Sequence, residues 1–335
     1  MDRNPLRGRL FGGGPATAER RAEWALRALA VGVLALIAAM AVTVLSKAWP
    51  SFAHNGLAWF GGGGDVDSQL KAMINGPTEP ARYIYHLRAW PLIWATILTS
   101  GIAVMIGMVA SIFAAVFIVE FAPAAVRRVI DPAIRLLAGV PSVVYGLIGI
   151  LAIAPWVEHN LISTQRKRSV VYVVQLTGAN LSVAILILTL MIMPIMVAIV
   201  VSALETVPRS WTEGSAALGV NRWRTTMRVS LRTARPAIVA AAVLATARAL
   251  GEAIMLAMVA GSRGFAPNPL DGLTFFYEPV RPLAATIIHL KDDLSIVPVE
   301  QTVYAMAAVL LVSCALLSLA GWAAKQPMKR YGIRA

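Results

Sequence analysis

Residues 237–260 read AIVAAAVLATARALGEAIMLAMVA, a run that is long and apolar enough to cross a lipid bilayer as one helix. Two ionisable residues, Arg248 and Glu252, interrupt this run. An ionised side chain near the centre of a membrane helix costs roughly 2.5–3.5 kcal/mol on insertion scales, so such residues usually face a protein interior or a wet pathway. Their i, i+4 spacing predicts that both lie on one helical face, where the opposite charges partly neutralise each other. The pair is either a buried ion pair that fixes helix packing or a charged element on a transport pathway. We favour the second interpretation.

The rest of the chain has the composition of a membrane protein. Of its 335 residues 58% are hydrophobic and only 14% are charged, whereas a soluble domain carries about 25% charged residues. Apolar runs predict an all-α, polytopic membrane protein with about six transmembrane helices, at 25–45, 90–119, 136–157, 181–204, 237–260 and 302–323.

The third predicted span contains a helix breaker. Pro141 should interrupt the helix and leave nearby carbonyl groups in need of partners. Ser142 and Tyr145 are then candidate polar groups beside a pathway, although core packing is the alternative role for Tyr145.

Several other classes of protein lack their signatures here. The first apolar run is longer than the core of a signal peptide, so we expect a retained first helix. The only cysteine, Cys314, permits no disulfide framework, and the four histidines show no metal-ligand spacing. The glycine run 61–64 lacks the context of a phosphate-binding loop. No catalytic residue, cofactor or metal is therefore expected. An ion-coupled secondary transporter remains an alternative, but no clear internal repeat supports it. An intramembrane hydrolase lacks a nucleophile and its base.

The basic residues are distributed unevenly about the six predicted spans. With both termini on one side, that side carries 19 of the 30 Lys and Arg residues, and the opposite side carries 10. The positive-inside rule then places both termini in the cytoplasm, so the excess of positive charge does not indicate a nucleic-acid partner. The basic run 166–168 fits poorly, because this topology exports it. It either reaches toward the interface, meets an anionic partner or marks misdrawn spans.

The connection 205–236 is the longest on the predicted cytoplasmic side. Ser210 or Thr212 can cap a short helix that carries Glu213 in its first turn, and Gly219 can end that helix in a left-handed conformation. A second amphipathic helix follows, with Trp223, Met227 and Leu231 at helical spacing. Such a helix pair either docks into a partner's groove or lies on anionic lipid.

The segment from Glu213 through Ala217 and Gly219 to Pro236 resembles the cytoplasmic coupling loop of ABC importer permeases. That loop begins with Glu-Ala-Ala and has a glycine six residues after the glutamate. Here Gly214 and a serine replace the two alanines, and an arginine replaces the usual proline after Leu231.

The whole chain from about residue 24 to 322 is similar to the PstC family of phosphate-importer permeases. Four stretches carry the resemblance: KAWPSF at 47–52, VEFAP at 119–123, GVPSVVYGL at 139–147 and ARALGE at 247–252. The sister PstA family shares the third and fourth patterns, while the first stretch and MLAMVAG at 255–261 favour PstC.

This resemblance implies a type I ABC importer permease fold in a bacterial inner membrane. The transmembrane domain would cover 25–323, with cytoplasmic tails at 1–24 and 324–335. The implied partners are a PstA-like second permease, a PstB-like ATPase dimer and a PstS-like external phosphate-binding protein. ATP hydrolysis would belong to the ATPase, and the family's pathway Arg and Glu correspond to Arg248 and Glu252. Glu213, Ala217, Gly219 and Trp223 would lie on the coupling loop. Sulfate, molybdate or tungstate is the alternative substrate.

Overall fold

The structure is a computed structural model that describes residues 15–77, 79–170 and 175–326. The predicted tails 1–24 and 324–335 lie mostly outside these ranges. Within them, six helical segments have the length and composition to cross a membrane: Arg20–Phe60, Trp90–Phe121, Ser142–Asn160, Leu181–Glu205, Arg222–Leu250 and Val297–Lys325. We refer to these as the first to sixth spans. In the described ranges the only β contact is the isolated bridge between Gly261 and Val280, so the predicted all-α class is confirmed.

The helices follow one another in the order α1 Pro15–Asn55, α2 Val66–Ile74, α3 Trp90–Val116, α4 Ala124–Ala138, α5 Ser142–Ile148, α6 Ala154–Asn160, α7 Thr164–Val170, α8 Leu181–Glu205, α9 Arg209–Ala217, α10 Arg222–Thr225, α11 Leu231–Leu250, α12 Ile254–Val259, α13 Leu283–His289 and α14 Val297–Lys325. π-helical turns extend α3 and join α5 to α6 and α10 to α11, at Phe117–Phe121, Gly149–Ile153 and Thr226–Ser230. Short 3₁₀ turns occupy Gly56–Phe60, Pro80–Arg82, Pro269–Tyr277 and Lys291–Asp293.

The fourth span, α8, is the centre of the molecule. Of its most apolar 18 residues, 67% are buried inside the chain, whereas none of the corresponding residues of the first span are buried. The second span packs against it through a row of small buried residues, Ala103, Gly107, Ser111 and Ala115, which follow one another every four positions. A Cβ added to Gly107 would lie 2.7 Å from the Cε atom of Met196. Since lipid supplies no hydrophobic driving force between helices, this close approach stabilises the pair by packing.

Contacts between connections divide the molecule into two faces. At one face, here called the loop face, Arg127 pairs with Glu205. Nearby, the ring centroids of Phe121 and Trp223 lie 6.5 Å apart. These contacts bring the connection between the second and third spans beside residues 206–221.

The opposite face is built from the connections on the other side of the spans. Asp67 on α2 forms an ion pair with Arg281, with 2.5 Å between Oδ1 and Nη2, and Arg281 is only 7% exposed. The N–H of Leu181 donates to the carbonyl of Glu278 at 3.0 Å, where the fourth span begins. The two sets of contacts agree with the alternating hairpin order predicted from the sequence.

The fifth span differs from its prediction. The sequence pattern predicted one helix over 237–260, but the helix runs from Arg222 to Leu250 and a separate helix, α12, begins at Ile254. The prediction was wrong because hydropathy excluded the arginine-rich stretch 222–236, which is helical, and included α12, which is apolar but separate. The third predicted span, 136–157, is likewise not one continuous helix, since residues 136–138 end α4 and α5 begins at Ser142.

Candidate functional site

The candidate site lies at the break in the fifth span. Arg248 occupies the last turn of α11, and its side chain is exposed. Residues Gly251, Glu252 and Ala253 are not helical, and they connect α11 to α12. Because the helix ends between them, Arg248 and Glu252 do not share the predicted helical face.

The predicted ion pair between these two residues is absent from the described part of the chain. Glu252 instead accepts the backbone N–H of Met255 through Oε1 at 3.1 Å. This bond satisfies one of the free amides that begin every helix. Glu252 therefore caps α12, and Arg248 is left without a carboxylate partner among the described residues.

The third span brings a second polar group to Arg248. The charge of Arg248 acts electrostatically on the hydroxyl of Tyr145, so the two side chains lie near each other. Pro141 interrupts the helix as predicted, since α4 ends at Ala138 and α5 begins at Ser142. Both Ser142 and Tyr145 are half-buried, one helical turn apart.

Tyr145 also spans the interruption at Pro141. Its hydroxyl donates to the carbonyl of Leu137 at 3.1 Å, which gives one freed carbonyl of α4 a partner. The prediction that carbonyls near Pro141 need partners is confirmed here. Leu137 lies four residues before Pro141, so its carbonyl is the one that a continuous helix would pair with the N–H that proline lacks.

Glycines in the third span allow close contact with α12. A Cβ added to Gly146 would lie 2.8 Å from the Sδ atom of Met258. One added to Gly149 would lie 2.6 Å from Cγ1 of Val259. The third span and α12 thus pack with no room for a side chain between them, and this contact holds both sides of the site together.

A second functional region is the exposed helix α9 on the loop face. No residue of α9 is buried, and Glu213 and Ala217, four positions apart, are both exposed. Leu218 follows with 84% of its surface exposed. Trp211, seven positions earlier, is 42% exposed, and contiguous exposed apolar surface marks sites that another protein covers.

Gly219 ends α9 in the left-handed conformation that the sequence predicted, with φ of +76°. Its N–H donates to the carbonyl of Ala216 at 2.9 Å, and the N–H of Val220 donates to that of Ser215 at 3.2 Å. These two bonds are those of a Schellman motif. The turn is also held by a contact of 2.8 Å between the hydroxyl groups of Ser215 and Thr225.

Other predictions for this loop were wrong. Neither Ser210 nor Thr212 caps α9, because the helix begins earlier, after Pro208. The second helix does not end near Pro236, since it continues as the fifth span. Trp223 is the second residue of that span and is half exposed beside Phe121, and its place on the coupling surface stays a prediction.

The basic run 166–168 has anionic and aromatic partners. Lys167 pairs with Glu158 at 2.8 Å, and Glu158 also accepts the N–H of Gly178 at 3.0 Å. The guanidinium of Arg166 lies 5.4 Å from the centroid of the Tyr277 ring. An anionic partner was one of the three explanations offered for this run, and Glu158 supplies it for Lys167.

The opposite face carries one strongly perturbed carboxyl group. Glu278 is 5% exposed and its Oε2 has no hydrogen-bond partner among the described residues. Burial, followed by the charge of Asp271, raises the pKa of Glu278 to about 7. Among the described residues, no group of His, Cys, Asp and Glu side chains has a metal-binding arrangement.

Comparison with known proteins identifies the kind of protein to which this site belongs. The profile of the family described as "Binding-protein-dependent transport system inner membrane component" matches residues 107–324. The chain belongs to this family. It is therefore a multi-pass inner-membrane component of a transport system and not an enzyme. It functions with partner proteins, because transport in this family depends on a binding protein.

Among individual relatives, this permease is 36% identical over 182 residues to the "Probable ABC transporter permease protein YqgH" of Bacillus subtilis. The matched region is 54% of this chain and 55% of that protein. It is 32% identical over 266 residues to the "Phosphate transport system permease protein PstC 1" of Mycobacterium tuberculosis, covering 77% of this chain and 76% of that protein. The permease thus spans about half the length of the first relative and three quarters of the second. The predicted resemblance to PstC proteins is confirmed.

A solved structure supports the fold. One chain of the "bacterial alginate ABC transporter in complex with alginate pentasaccharide-bound periplasmic protein" matches 94% of this permease, and 99% of that chain is covered. The TM-score is 0.57 at 13% sequence identity. The predicted ABC importer permease fold is confirmed by this similarity.

Proposed function

We propose that this permease is the PstC-type subunit of an ATP-driven phosphate importer and forms half of its translocation pathway. The similarity to PstC 1 over 77% of the chain carries the proposal. Its partners are then a PstA-like second permease, a PstB-like ATPase dimer and a PstS-like external phosphate-binding protein. Both termini and the loop face lie in the cytoplasm, in keeping with the excess of basic residues on that side.

Arg248 is the residue that we assign to the anion. Its guanidinium carries a permanent charge and a planar fork of donors that fits two oxygens of a tetrahedral oxyanion. Since no carboxylate neutralises it among the described residues, that charge is available to a passing anion. An exposed arginine at the end of a membrane helix is costly unless it faces water or a ligand, which supports a place on the pathway.

The hydroxyl groups of Ser142 and Tyr145 supply the remaining polar contacts of the proposed pathway. Tyr145 lies near Arg248, and Ser142 begins the same helix one turn earlier. Hydroxyl groups donate hydrogen bonds to phosphate oxygens without adding charge. A pathway with one cation and two hydroxyl groups attracts the anion yet releases it, which conduction requires.

Glu252 then has a positioning role and does not contact the anion. By capping α12 through the N–H of Met255, it fixes the start of the helix that packs against Gly146 and Gly149. The third span carries Tyr145, so this cap also sets the distance between Tyr145 and Arg248.

Helix α9 is the proposed contact with the ATPase subunit. Glu213, Ala217 and Leu218 form its exposed surface, and the turn at Gly219 joins it directly to the helix of the fifth span, which begins at Arg222. Movement of α9 is therefore transmitted along one continuous helix to Arg248 at the other end. This is a mechanism of alternating access driven by closure of the ATPase dimer.

The substrate is tested by competition in the assembled complex. The permease, its second permease, the ATPase and the binding protein are reconstituted in vesicles, and uptake of labelled phosphate is measured against unlabelled sulfate, molybdate and tungstate. We expect none of these three anions to reduce uptake when present at the same concentration as phosphate. Stronger competition by another oxyanion would assign the permease to that anion. Vesicles that hold this chain alone are the control, and ATP-independent uptake by them would indicate a secondary transporter.

A further inference from the structure

Two ion pairs hold the two ends of the loop that contains α9. This loop begins after Glu205, the last residue of the fourth span, and ends before Arg222, the first residue of the fifth. Glu205 pairs with Arg127, and Oε2 of Glu120 lies 3.5 Å from Nε of Arg222. Both partners come from one short segment, where the second span ends and α4 begins. We refer to these four residues together as the clamp.

Each charge of the clamp lies at an end of a helix that disfavours it. A helix N-terminus attracts negative charge, and a C-terminus attracts positive charge. The two glutamates nonetheless lie at C-terminal ends, since the second span ends at Phe121 and the fourth at Glu205. Arg222 begins the fifth span, and Arg127 lies in the first turn of α4. Local helix stability therefore does not explain these charges, whereas their pairing across the loop face does.

An aromatic contact adds to the pair at the start of the fifth span. The guanidinium of Arg222 lies 5.5 Å from the centroid of the Phe121 ring, and a cation over an aromatic face is attracted to it. The side chain of Glu120 is only 19% exposed. A carboxylate that is partly withdrawn from water needs a partner more than an exposed one does, and Arg222 supplies it.

Helix α4 connects the clamp to the proposed pathway. Arg127 lies near the start of this helix and Leu137 near its end. The carbonyl of Leu137 accepts the hydroxyl of Tyr145, which lies near Arg248. A displacement of Arg127 is therefore carried along one helix to a residue of the proposed pathway.

We propose that Glu120 and Arg127 are positioning residues that hold both ends of the α9 loop against the second span and α4. The clamp keeps α9, the end of the second span and α4 together as one body during the transport cycle. Movement of α9 then reaches Tyr145 through α4, in addition to Arg248 through the fifth span. The inference rests on the proposed contact between α9 and the ATPase.

Charge reversal tests the clamp in the complete importer, reconstituted in vesicles in which uptake and ATP hydrolysis are measured together. Glu120→Arg places two arginines opposite each other, and Arg127→Glu places two glutamates opposite each other. We expect each variant to lower uptake per ATP by about two- to fivefold, the range in which partly exposed pairs shift an equilibrium. Each reversal also places a favourable charge at its helix end, so an effect on helix stability alone predicts no loss.

Reversing the second partner should restore coupling. Glu120→Arg with Arg222→Glu re-forms one pair, and Arg127→Glu with Glu205→Arg re-forms the other, so uptake per ATP should return close to the wild-type value. The matched control is Arg128→Glu. Arg128 is the exposed neighbour of Arg127 on α4, and it pairs with no carboxylate in the described part of the chain. This control should leave uptake per ATP unchanged.

A distance measurement tests the shared movement without reference to the transported anion. Spin labels are attached at Arg128→Cys on α4 and Arg209→Cys on α9, in a Cys314→Ala background. Their separation is measured by pulsed electron paramagnetic resonance in the assembled importer, before and after ATP binding. We expect one unchanged separation while the clamp is intact, and a separation that changes on ATP binding when Arg127→Glu is added.

A separation that changes on ATP binding with the clamp intact would overturn the proposal, because α9 and α4 would then move apart. This result decides even if the charge-reversed variants fail to assemble. Normal uptake per ATP in both single reversals, or no recovery in either charge swap, would also overturn it, and so would an unchanged separation in Arg127→Glu.

The contact between α9 and the ATPase is tested separately by cross-linking from Ala217→Cys, an exposed position of α9. Absence of a cross-link to the ATPase subunit would count against the proposed function. The label separation would still report on the clamp, so the two failures are distinguishable.

Discussion

The turn at Gly219 offers the sharpest test of the proposed coupling between α9 and the fifth span. Gly219 has φ of +76°, and no heavy atom lies within 4 Å of the position that a Cβ would occupy. A substitution there meets no steric obstacle from other residues. Its effect is therefore confined to the cost of the left-handed backbone.

That cost is about 1–2 kcal/mol for a residue with a side chain, and β-branched residues lie at the upper end. It corresponds to a factor of roughly 5–30 in the population of the native turn. Gly219→Val should therefore weaken the connection between α9 and Arg222 without affecting the buried helices. We expect normal membrane abundance and a decrease of up to that factor in phosphate taken up per ATP hydrolysed.

The assay measures uptake and ATP hydrolysis by the reconstituted complex in the same vesicles. Gly214→Ala is the matched control, because Gly214 lies inside α9 and its added Cβ also meets nothing within 4 Å. Alanine in a helix interior stabilises by roughly 0.5–1 kcal/mol relative to glycine, so this variant should transport normally. Unchanged uptake per ATP in Gly219→Val would refute the role of this turn, and so would an equal loss in both variants.

Three further predictions concern packing, capping and pH. Gly149→Ala should destabilise the purified permease by about 1–3 kcal/mol, because the added Cβ would lie 2.6 Å from Val259. Gly101→Ala is the control and should leave the melting temperature unchanged, because nothing lies within 4 Å of its added Cβ. Equal melting temperatures of the two variants would contradict the close contact at Gly149. Glu252→Ala should destabilise α12 by roughly 0.5–2 kcal/mol through loss of its cap, and phosphate uptake should fall with it. Glu252→Gln keeps an acceptor oxygen, so its uptake should fall less than that of Glu252→Ala. Identical losses of uptake in the two variants would favour a role for the charge itself. The pKa of Glu278 is raised to about 7 from its ordinary value of 4.5, so between these pH values the folded state keeps a proton that the unfolded state loses. The free energy of unfolding should therefore fall as the pH rises from 4.5 to 7, by about 3 kcal/mol at most. The melting temperature should depend less on pH in Glu278→Gln, and an equal dependence in both proteins would contradict the burial of this carboxyl.

The sequence predicted the features that depend on local chemistry. Six apolar runs correspond to six spans because a bilayer demands about 20 apolar residues for each crossing. Pro141 breaks the third span because proline lacks an N–H, and Gly219 turns left-handed because glycine has no Cβ. Each of these outcomes follows from a property of one residue or one short segment.

The candidate site depended on where a helix ends, and hydropathy does not specify that. The stretch around Arg248 and Glu252 remains apolar on both sides, so the pattern indicated one helix and an ion pair four residues apart. The chain instead leaves the helix at Gly251, and Glu252 caps the next one. Gly251 is a possible helix end in the sequence, but the contacts of Gly146 and Gly149 with α12 that favour this break come from another span.

Phosphate uptake by Arg248→Gln tests the central claim most directly. The variant keeps a polar side chain of similar length but loses the charge and the fork of donors. In the assembled complex, at membrane abundance and partner content equal to those of the wild type, we predict loss of uptake, with partial activity in Arg248→Lys. Because Arg248 pairs with no carboxylate among the described residues, neutralising it strands no buried charge and should not impair assembly. Wild-type uptake by Arg248→Gln would contradict the assignment of Arg248 to the phosphate pathway.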